Sequence, residues 1–236
     1  PLIPDKSFQL ILADLPYGTT ACKWDSIIDL DLLWKQYKRI IKDNGAIVLT
    51  ASQPFTTKLI SSNYEMFKYE WVWDKCNPTN FASANKQPMK YHENILVFSK
   101  KQTIYNPIKW QGKKNHKQGT SKNNFAETRE NIKRVEDDLS GLKFPKSIIQ
   151  FEKHSSQCGL HPTQKPLELM KYLIKTYSNE NDMVLDNAMG SGTTNLACIK
   201  LNRKSIGIEK EKQYYDVAVR RLYYLEKAKQ RGLFYG

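Results

Sequence analysis

Met183-Val184-Leu185-Asp186-Asn187-Ala188-Met189-Gly190-Ser191-Gly192-Thr193-Thr194 is the stretch that decides the fold of this chain. Its apolar start predicts a short buried strand, and Gly190 and Gly192 predict a tight turn that opens a helix. A second stretch follows the same plan, since the apolar residues 8–13 run into the polar turn of residues 14–17. Ligands of open α/β sheets bind where such strands end. We therefore expect both turns to contribute to a binding site.

The segments after residue 160 alternate in type. Apolar patterns predict strands at 183–186 and 204–208, and helices at 192–201 and 211–229. Such alternation predicts parallel strands joined by crossover helices, and hence an α/β fold. The remaining predicted elements are strands at 8–13, 46–50, 68–73 and 94–98, and helices at 29–42 (with Asn44-Gly45 as its stop signal), 52–62 and 166–177.

The composition indicates a polyanionic partner. The chain has 236 residues, with 37 Lys and Arg against 24 Asp and Glu, which gives a formal net charge of +13. A surplus of this size favours nucleic acid. No run of 18 apolar residues is present, so we expect no membrane span.

The cysteines favour a reducing compartment and no metal centre. The four cysteines are scattered and form no Cys-x-x-Cys motif, which favours reduced thiols in the cytoplasm. His154, Cys158 and His161 lie close in sequence, but no fourth ligand falls at the spacing of a zinc site.

The glycine turn is typical of a cofactor site. It places backbone N–H groups at the start of a helix, where anionic groups bind. Glu209 ends the next strand, where an acidic side chain can accept hydrogen bonds from ribose hydroxyls. A nicotinamide dinucleotide is disfavoured because Asn195 stands where its fingerprint needs a third glycine. Asp186 would repel a pyrophosphate but would assist a cationic, amino-bearing ligand, which favours S-adenosylmethionine.

The early turn, Asp14-Leu15-Pro16-Tyr17, suits the exocyclic amino group of adenine or cytosine. Such a group is a poor nucleophile because its lone pair is delocalised into the ring. The Asp14 carboxylate and the Leu15 carbonyl could accept both N–H bonds, hold the group for attack and take up developing positive charge. Pro16 stiffens the turn, and Tyr17 can stack on the base. A base inside a duplex can reach such a site only after it is flipped out.

These motifs resemble those of the DNA amino-methyltransferases, in the subgroup ordered catalytic motif, recognition insert, cofactor motif. The family signature Asp/Asn/Ser-Pro-Pro-Tyr/Phe/Trp is similar to residues 14–17, with Leu15 in place of a proline. The family segment His-Pro-Thr-x-Lys-Pro matches residues 161–166. The segment Asp-x-Phe-x-Gly-Ser-Gly-Thr-Thr resembles residues 186–194, with Ala188 in place of the usual aromatic residue.

The resemblance extends beyond these motifs. Residues 91–98 and 44–49 resemble core segments of the family, so the likeness covers most of the chain except roughly residues 100–155. It implies a mostly parallel seven-stranded sheet with one antiparallel strand, flanked by helices. It also implies that a further cofactor segment belongs near Pro1.

The resemblance implies S-adenosylmethionine as cofactor and a set of residues that bind it. That set is Thr163, Lys165, Asp186, Gly190, Ser191, Gly192, Thr193 and Glu209. Lys165 is included because the family folds its segment against the methionine end of the cofactor. Family members whose motif begins with Asp usually methylate adenine N6, whereas Ser more often accompanies cytosine N4. Asp14 therefore favours adenine N6, with cytosine N4, an RNA substrate and a non-catalytic DNA-binding protein as the alternatives.

Residues 100–160 are the expected recognition insert. They separate a catalytic half, residues 1–99, from a cofactor-binding half, residues 161–236. The expected partner is double-stranded DNA, with lysines on phosphates and arginines that could reach bases. These residues are Lys109, Lys113, Lys114, Lys117, Lys122, Arg129 and Arg134. The resemblance leaves open a homodimer, which is frequent in the family, and a cognate restriction endonuclease.

Overall fold

The structure, a computed structural model, describes residues 2–18, 26–113, 141–152 and 164–231. The strands of these ranges are β1 (Phe8–Ala13), β2 (Ile41–Ala51), β3 (Phe67–Thr79), β4 (Lys90–Phe98), β5 (Trp110–Gln111), β6 (Leu142–Lys143), β7 (Ile148–Gln150), β8 (Met183–Asp186) and β9 (Lys204–Gly207). The helices are α1 (Leu30–Ile40), α2 (Phe55–Ser61), α3 (Leu167–Tyr177), α4 (Thr193–Lys200) and α5 (Lys212–Gln230). None of these helices is both long and apolar enough to span a membrane.

Seven of the strands form one sheet in the order β7-β3-β4-β2-β1-β8-β9. β1 pairs in parallel with β2 and β8, and β8 pairs in parallel with β9. β4 runs antiparallel to both of its neighbours, β2 and β3. The sheet is therefore mostly parallel with one reversed strand, which confirms the predicted fold class.

The central strand β1 is buried on both faces, as its continuous apolar run predicts. Leu10 and Leu12 pack in one core cluster with residues of α3 and α4. Ile11 and Ala13 pack in the other cluster with residues of α1 and α2. Helices thus cover both faces, and Asp14 follows β1 directly at the carboxyl end of the strand.

The boundary between α1 and β2 differs from the prediction. The Asp29 carboxylate caps α1 by accepting from the backbone N–H groups of Asp31 and Leu32, both at 3.0 Å. The helix ends at Ile40, and not near residue 42 with Asn44-Gly45 as its stop signal. The chain joins the sheet at once because Ile41, which is fully buried, pairs with Phe8 before a shift in register.

The segment that packs separately from the sheet is shorter than the predicted insert. One compact unit runs up to Asn106 and resumes at Ser147, and the other spans Pro107–Lys146. Within the predicted range of 100–160, Ile148–Gln150 forms β7, which pairs in parallel with β3. A three-residue strand leaves almost no periodic signal in the sequence.

Candidate active site

The two predicted turns line one cavity of about 510 Å³. Asp14 and Asp186 each end or follow a strand, and these strands, β1 and β8, are parallel neighbours that pair at Leu10 and Val184. Because the carboxyl ends of parallel strands share an edge, residues far apart in the sequence meet there. The volume lies within the usual range for small-molecule and cofactor sites.

The Asp14 carboxylate is held by three side-chain donors. Its Oδ1 atom accepts from the Tyr17 hydroxyl at 2.8 Å and from the Thr50 hydroxyl. Its Oδ2 atom accepts from Lys165 Nζ at 2.5 Å. Thr50 comes from β2, the neighbouring strand, so three separate parts of the chain fix the orientation of Asp14.

The Tyr17 ring packs against Phe55 of α2, with ring centroids 5.4 Å apart and planes inclined by 23°. Burial, reinforced by the negative charge of Asp14, raises the pKa of Tyr17 well above its ordinary value. Its hydroxyl therefore stays protonated at neutral pH and donates to Asp14. Phe55 packs along one face of the ring, and Lys165 Nζ lies over the ring, 5.6 Å from its centre.

The turn that follows Asp14 is anchored by burial. The Leu15 side chain is only 3% exposed and belongs to the same core cluster as Ala13 and Phe55. Burial of an apolar side chain stabilises such a turn without the proline that the family signature has at this position. Pro16 also lines the cavity.

Lys165 contacts Asp14 directly, a contact that sequence reasoning missed. The lysine is 8% exposed and lines the cavity shared by both turns. Burial alone lowers the pKa of Lys165, but the charges of Asp14 and Glu93 outweigh it, so the pKa is raised. The lysine is therefore a stable cation beside the carboxylate. Its predicted role in cofactor binding stays a prediction, and Thr163 lies outside the described residues.

The glycine turn has the backbone that its sequence predicts. Gly190 and Gly192 have φ angles of 51° and 77°, a region that residues with a Cβ seldom occupy. Gly192 caps α4, and its neighbours Ser191 and Thr193 line the cavity. A Cβ atom on Gly207 of the adjacent strand would lie 2.3 Å from Met189 Sδ, so a larger residue there would displace the Met189 side chain.

The Glu209 carboxylate bridges two backbone segments at the cavity wall. Its Oε2 atom accepts from the N–H group of Gly190, and its Oε1 atom from that of Glu211, both at 2.8 Å. Each carboxylate oxygen can accept about two hydrogen bonds, so each retains capacity for a ligand. Glu209 thus supports the glycine turn, a role that the sequence did not reveal.

Asp186 is a buried carboxylate with an unusual proton affinity. The residue is 4% exposed, and burial raises its pKa to about 7, although hydrogen bonds from Thr194 and from the Ala188 N–H group oppose the shift. The negative charges of Asp14 and Glu209 raise it further. A cationic group near Asp186 would favour the ionised form.

Two further residues support the glycine turn from a distance in sequence. Arg221 of α5 donates to the Ser191 carbonyl at 3.1 Å and to Thr193 Oγ1 at 3.3 Å. Burial lowers the pKa of Arg221, as expected for a cation that is partly removed from water. Tyr37 of α1 donates to Asn187 Oδ1 at 2.5 Å. Neither residue carries a motif that could have marked it.

The predicted DNA-binding residues are described only in part. Within the unit of residues 107–146, Lys109 Nζ lies 4.7 Å from the centre of the Phe144 ring, and Lys146 Nζ lies 4.8 Å from that of Trp110. Phe144 and Trp110 are 64% and 43% exposed, so this unit presents a basic and aromatic surface. Lys113 is also described. The remaining predicted DNA-binding residues lie outside the described residues: Lys114, Lys117, Lys122, Arg129 and Arg134. The same is true of His154, Cys158 and His161.

The sheet and the two turns define an α/β ligand-binding site. Asp14 follows β1, and Asp186 ends the neighbouring parallel strand, β8. Residues 8–220 match the family described as DNA methylase, N6_N4_Mtase. The chain belongs to this family of N6 and N4 DNA methylases, which confirms the resemblance read from the motifs.

Individual relatives agree with this assignment. The type II methyltransferase M.HpaI of Haemophilus parainfluenzae is 27% identical over 237 residues, which cover 93% of this chain and 69% of that protein. A crystal structure of M1.HpyAVI in complex with SAM is 28% identical, with a TM-score of 0.59, and the match covers 91% of this chain and 88% of that chain. This chain spans about two thirds of the length of M.HpaI and of the Haemophilus influenzae methyltransferases M.HinfI and M.HindIII.

A more distant structure shows the same fold. The PvuII DNA methyltransferase, described as cytosine-N4-specific, is 17% identical, with a TM-score of 0.63 and coverage of 93% of this chain and 80% of that chain. At this identity the likeness concerns the fold alone.

Proposed function

We propose that this protein transfers a methyl group from S-adenosylmethionine to the N6 amino group of an adenine flipped out of duplex DNA. The observation that carries the proposal is the shared cavity, in which the Asp14 turn and the glycine turn of residues 190–192 meet at the ends of adjacent strands. The first turn offers acceptors for an amino group. The second offers N–H donors and carboxylates for the cofactor.

The cofactor fits the glycine-turn side of the cavity. Its carboxylate would meet the N–H groups at the start of α4, and its ammonium and sulfonium charges would favour ionised Asp186. Its ribose hydroxyls would donate to Glu209. Bound there, S-adenosylmethionine supplies an electrophilic methyl group. Lys165 faces the same cavity, where a contact with the methionine end remains part of this proposal.

The base fits the side of the cavity that Asp14 lines. Its amino group would donate to Asp14 Oδ2 and to the Leu15 carbonyl, and its ring would stack on Tyr17. In the transfer, the amino nitrogen would bond to the methyl carbon while the electron pair of the carbon–sulfur bond stays on sulfur, which leaves S-adenosylhomocysteine, and the nitrogen would then release one proton to water. A fixed carboxylate beside the nitrogen stabilises the positive charge that develops on it.

Asp14 favours adenine over cytosine. Ser at this position accompanies cytosine N4 more often in the family, and this chain has Asp. Cytosine-N4 methylation is the second candidate, because the family comprises both activities.

The unit of residues 107–146, with the predicted DNA-binding residues that follow Lys113, is proposed to bind DNA and to select its sequence. The support is its exposed pairing of lysines with aromatic rings, together with the formal net charge of +13. Phosphate contacts of this kind weaken as salt rises.

Since free Cys76 and Cys198 suit a reducing compartment, we place the reaction in the cytoplasm. The further partners that we propose are a second copy of this chain, in a homodimer, and a cognate restriction endonuclease.

The test is incubation with methyl-tritiated S-adenosylmethionine and unmethylated plasmid DNA, followed by digestion to nucleosides and chromatography. The expected product is labelled N6-methyldeoxyadenosine. Label in N4-methyldeoxycytidine would establish the second candidate instead, and unlabelled DNA would refute both.

A further inference from the structure

Four charged side chains of alternating sign line up in the cavity wall. Asp14 and Lys165 are 2.5 Å apart, Lys165 and Glu93 are 3.5 Å apart, and Glu93 and Lys75 are 3.6 Å apart. The side chains of Lys165, Glu93 and Lys75 are only 9%, 13% and 2% exposed. Two negative and two positive charges cancel, which is what allows such groups to be buried.

One atom in this row has no hydrogen bond. Oε2 of Glu93 is buried and accepts none from the part of the chain that the structure describes, although Lys165 Nζ lies 3.5 Å away. Most buried polar atoms are hydrogen-bonded, and an unsatisfied buried acceptor is costly. A lysine ammonium has three donors, and a shift of about 0.6 Å would bring Nζ to the usual hydrogen-bond distance from this oxygen.

The same lysine occupies the acceptor that the proposed reaction needs. Asp14 Oδ1 already accepts from Tyr17 and Thr50, so the amino group must be received at Oδ2, where Lys165 is bound. A cation at that position offsets the charge that Asp14 would offer to the amino nitrogen. Oδ2 can accept about two hydrogen bonds, so in the arrangement without a base Lys165 competes with the amino group for this oxygen and offsets its charge.

We propose that Lys165 moves from Asp14 to Oε2 of Glu93 when the base enters the cavity. The unsatisfied oxygen of Glu93 is the place that receives the ammonium, and the move exposes Oδ2 of Asp14 to the amino group. Glu93 and Lys165 are then positioning residues that act through Asp14. The inference rests on the proposed function, since the group that displaces the lysine is the amino group of a flipped base.

Glu93→Gln tests the movement, because it keeps the size of the side chain but removes the charge that receives Lys165. Single-turnover methyl transfer to unmethylated plasmid DNA should slow about tenfold or more, the effect of losing one hydrogen bond to a charged group. Affinity for S-adenosylmethionine, measured by calorimetry, should not change. Glu70→Gln is the matched control, because Glu70 lies on β3, bonds to Asn94 at 2.9 Å and does not line the cavity. It should keep the wild-type rate.

The double variant Glu93→Gln/Lys165→Met separates a moving lysine from one that must stay on Asp14. At saturating S-adenosylmethionine, where any effect of Lys165 on cofactor affinity is removed, the ammonium no longer competes for Oδ2 of Asp14, so the double variant should be faster than Glu93→Gln alone. A double variant as slow as the single one, or a single variant at the wild-type rate, would overturn the proposal. Thermal unfolding of each variant, with and without cofactor, shows whether it is folded.

A crystal structure of the wild-type protein bound to S-adenosylhomocysteine and its DNA would show the position of Lys165 directly, without any variant. Lys165 Nζ should lie within about 3.2 Å of Glu93 Oε2 and should have left Asp14. A lysine still bonded to Asp14 beside a bound base would refute the movement while leaving the proposed function intact. A wild-type protein that methylates no DNA would refute the proposed function itself.

Discussion

Asp186→Asn should stabilise the protein at neutral pH, and the size of the effect follows from the burial of Asp186. The carboxyl group ionises near pH 3.8 when unperturbed, whereas burial raises its pKa to about 7 in the folded protein. The folded state therefore holds the proton more tightly than the unfolded state between these two values. The stabilisation that Asp186 contributes is fully present below pH 3.8 and is lost as pH rises toward 7.

The expected magnitude is large enough to measure. One unit of pKa corresponds to about 1.36 kcal/mol, so between pH 5 and pH 7 the wild-type protein should lose about 2 kcal/mol of unfolding free energy through this group. Asn cannot titrate in this range. The stability difference between the Asn variant and the wild type should therefore grow by about 2 kcal/mol from pH 5 to pH 7.

Urea unfolding at pH 5 and pH 7 without cofactor, on both proteins, measures this difference. Other ionisable groups titrate alike in the two proteins, so their contributions cancel in the difference in unfolding free energy. A difference that stays constant within about 0.5 kcal/mol would refute the raised pKa of Asp186. The same two proteins also test whether the Asp186 carboxylate contacts S-adenosylmethionine. Affinity of the wild type for the cofactor should rise from pH 6 to pH 8 more steeply than that of the variant, because the cationic cofactor favours the ionised carboxylate.

Substitutions at three further residues test other parts of the site. Glu209→Ala should weaken S-adenosylmethionine binding by about 1–3 kcal/mol through lost charged hydrogen bonds, and unchanged calorimetric affinity would contradict the assignment. Tyr17→Phe keeps the ring but removes the donor to Asp14, so methyl transfer should slow while DNA binding holds; Tyr17→Ala should additionally weaken capture of a fluorescent base analogue by about 1–3 kcal/mol. Arg221→Met should loosen the glycine turn and lower cofactor affinity without altering DNA affinity, and equal losses of both in calorimetry and gel-shift titration would argue for general unfolding.

The sequence predicts the strands that position the site because β1 is fully buried and β8 nearly so. Residues 8–13 and 183–186 form strands with the predicted bounds, since continuous apolar runs between polar turns have few alternatives. The glycines of the late turn likewise predict its positive φ angles. The sequence alone therefore places both motifs at the carboxyl ends of strands in one sheet.

Other parts depend on contacts that a local pattern does not contain. Lys165 meets Asp14 across 151 residues of sequence, and the segment of Lys165 suggested only a cofactor contact. Glu93 lies in the family-like segment 91–98, but nothing in that segment marks its Oε2 atom as unsatisfied. The early end of α1 and the strand β7 follow from pairing with distant strands, which overrides local helix signals.

The most direct test of the shared active site is a comparison of Asp14→Ala with the wild-type protein in cofactor binding and methyl transfer. Asp14 is proposed to act on the amino group in the transition state, whereas the cofactor is proposed to bind at the glycine turn. Affinity for S-adenosylmethionine should therefore stay within a few-fold, while tritiated methyl transfer to unmethylated DNA should vanish. Full turnover by the Asp14→Ala variant would contradict the account.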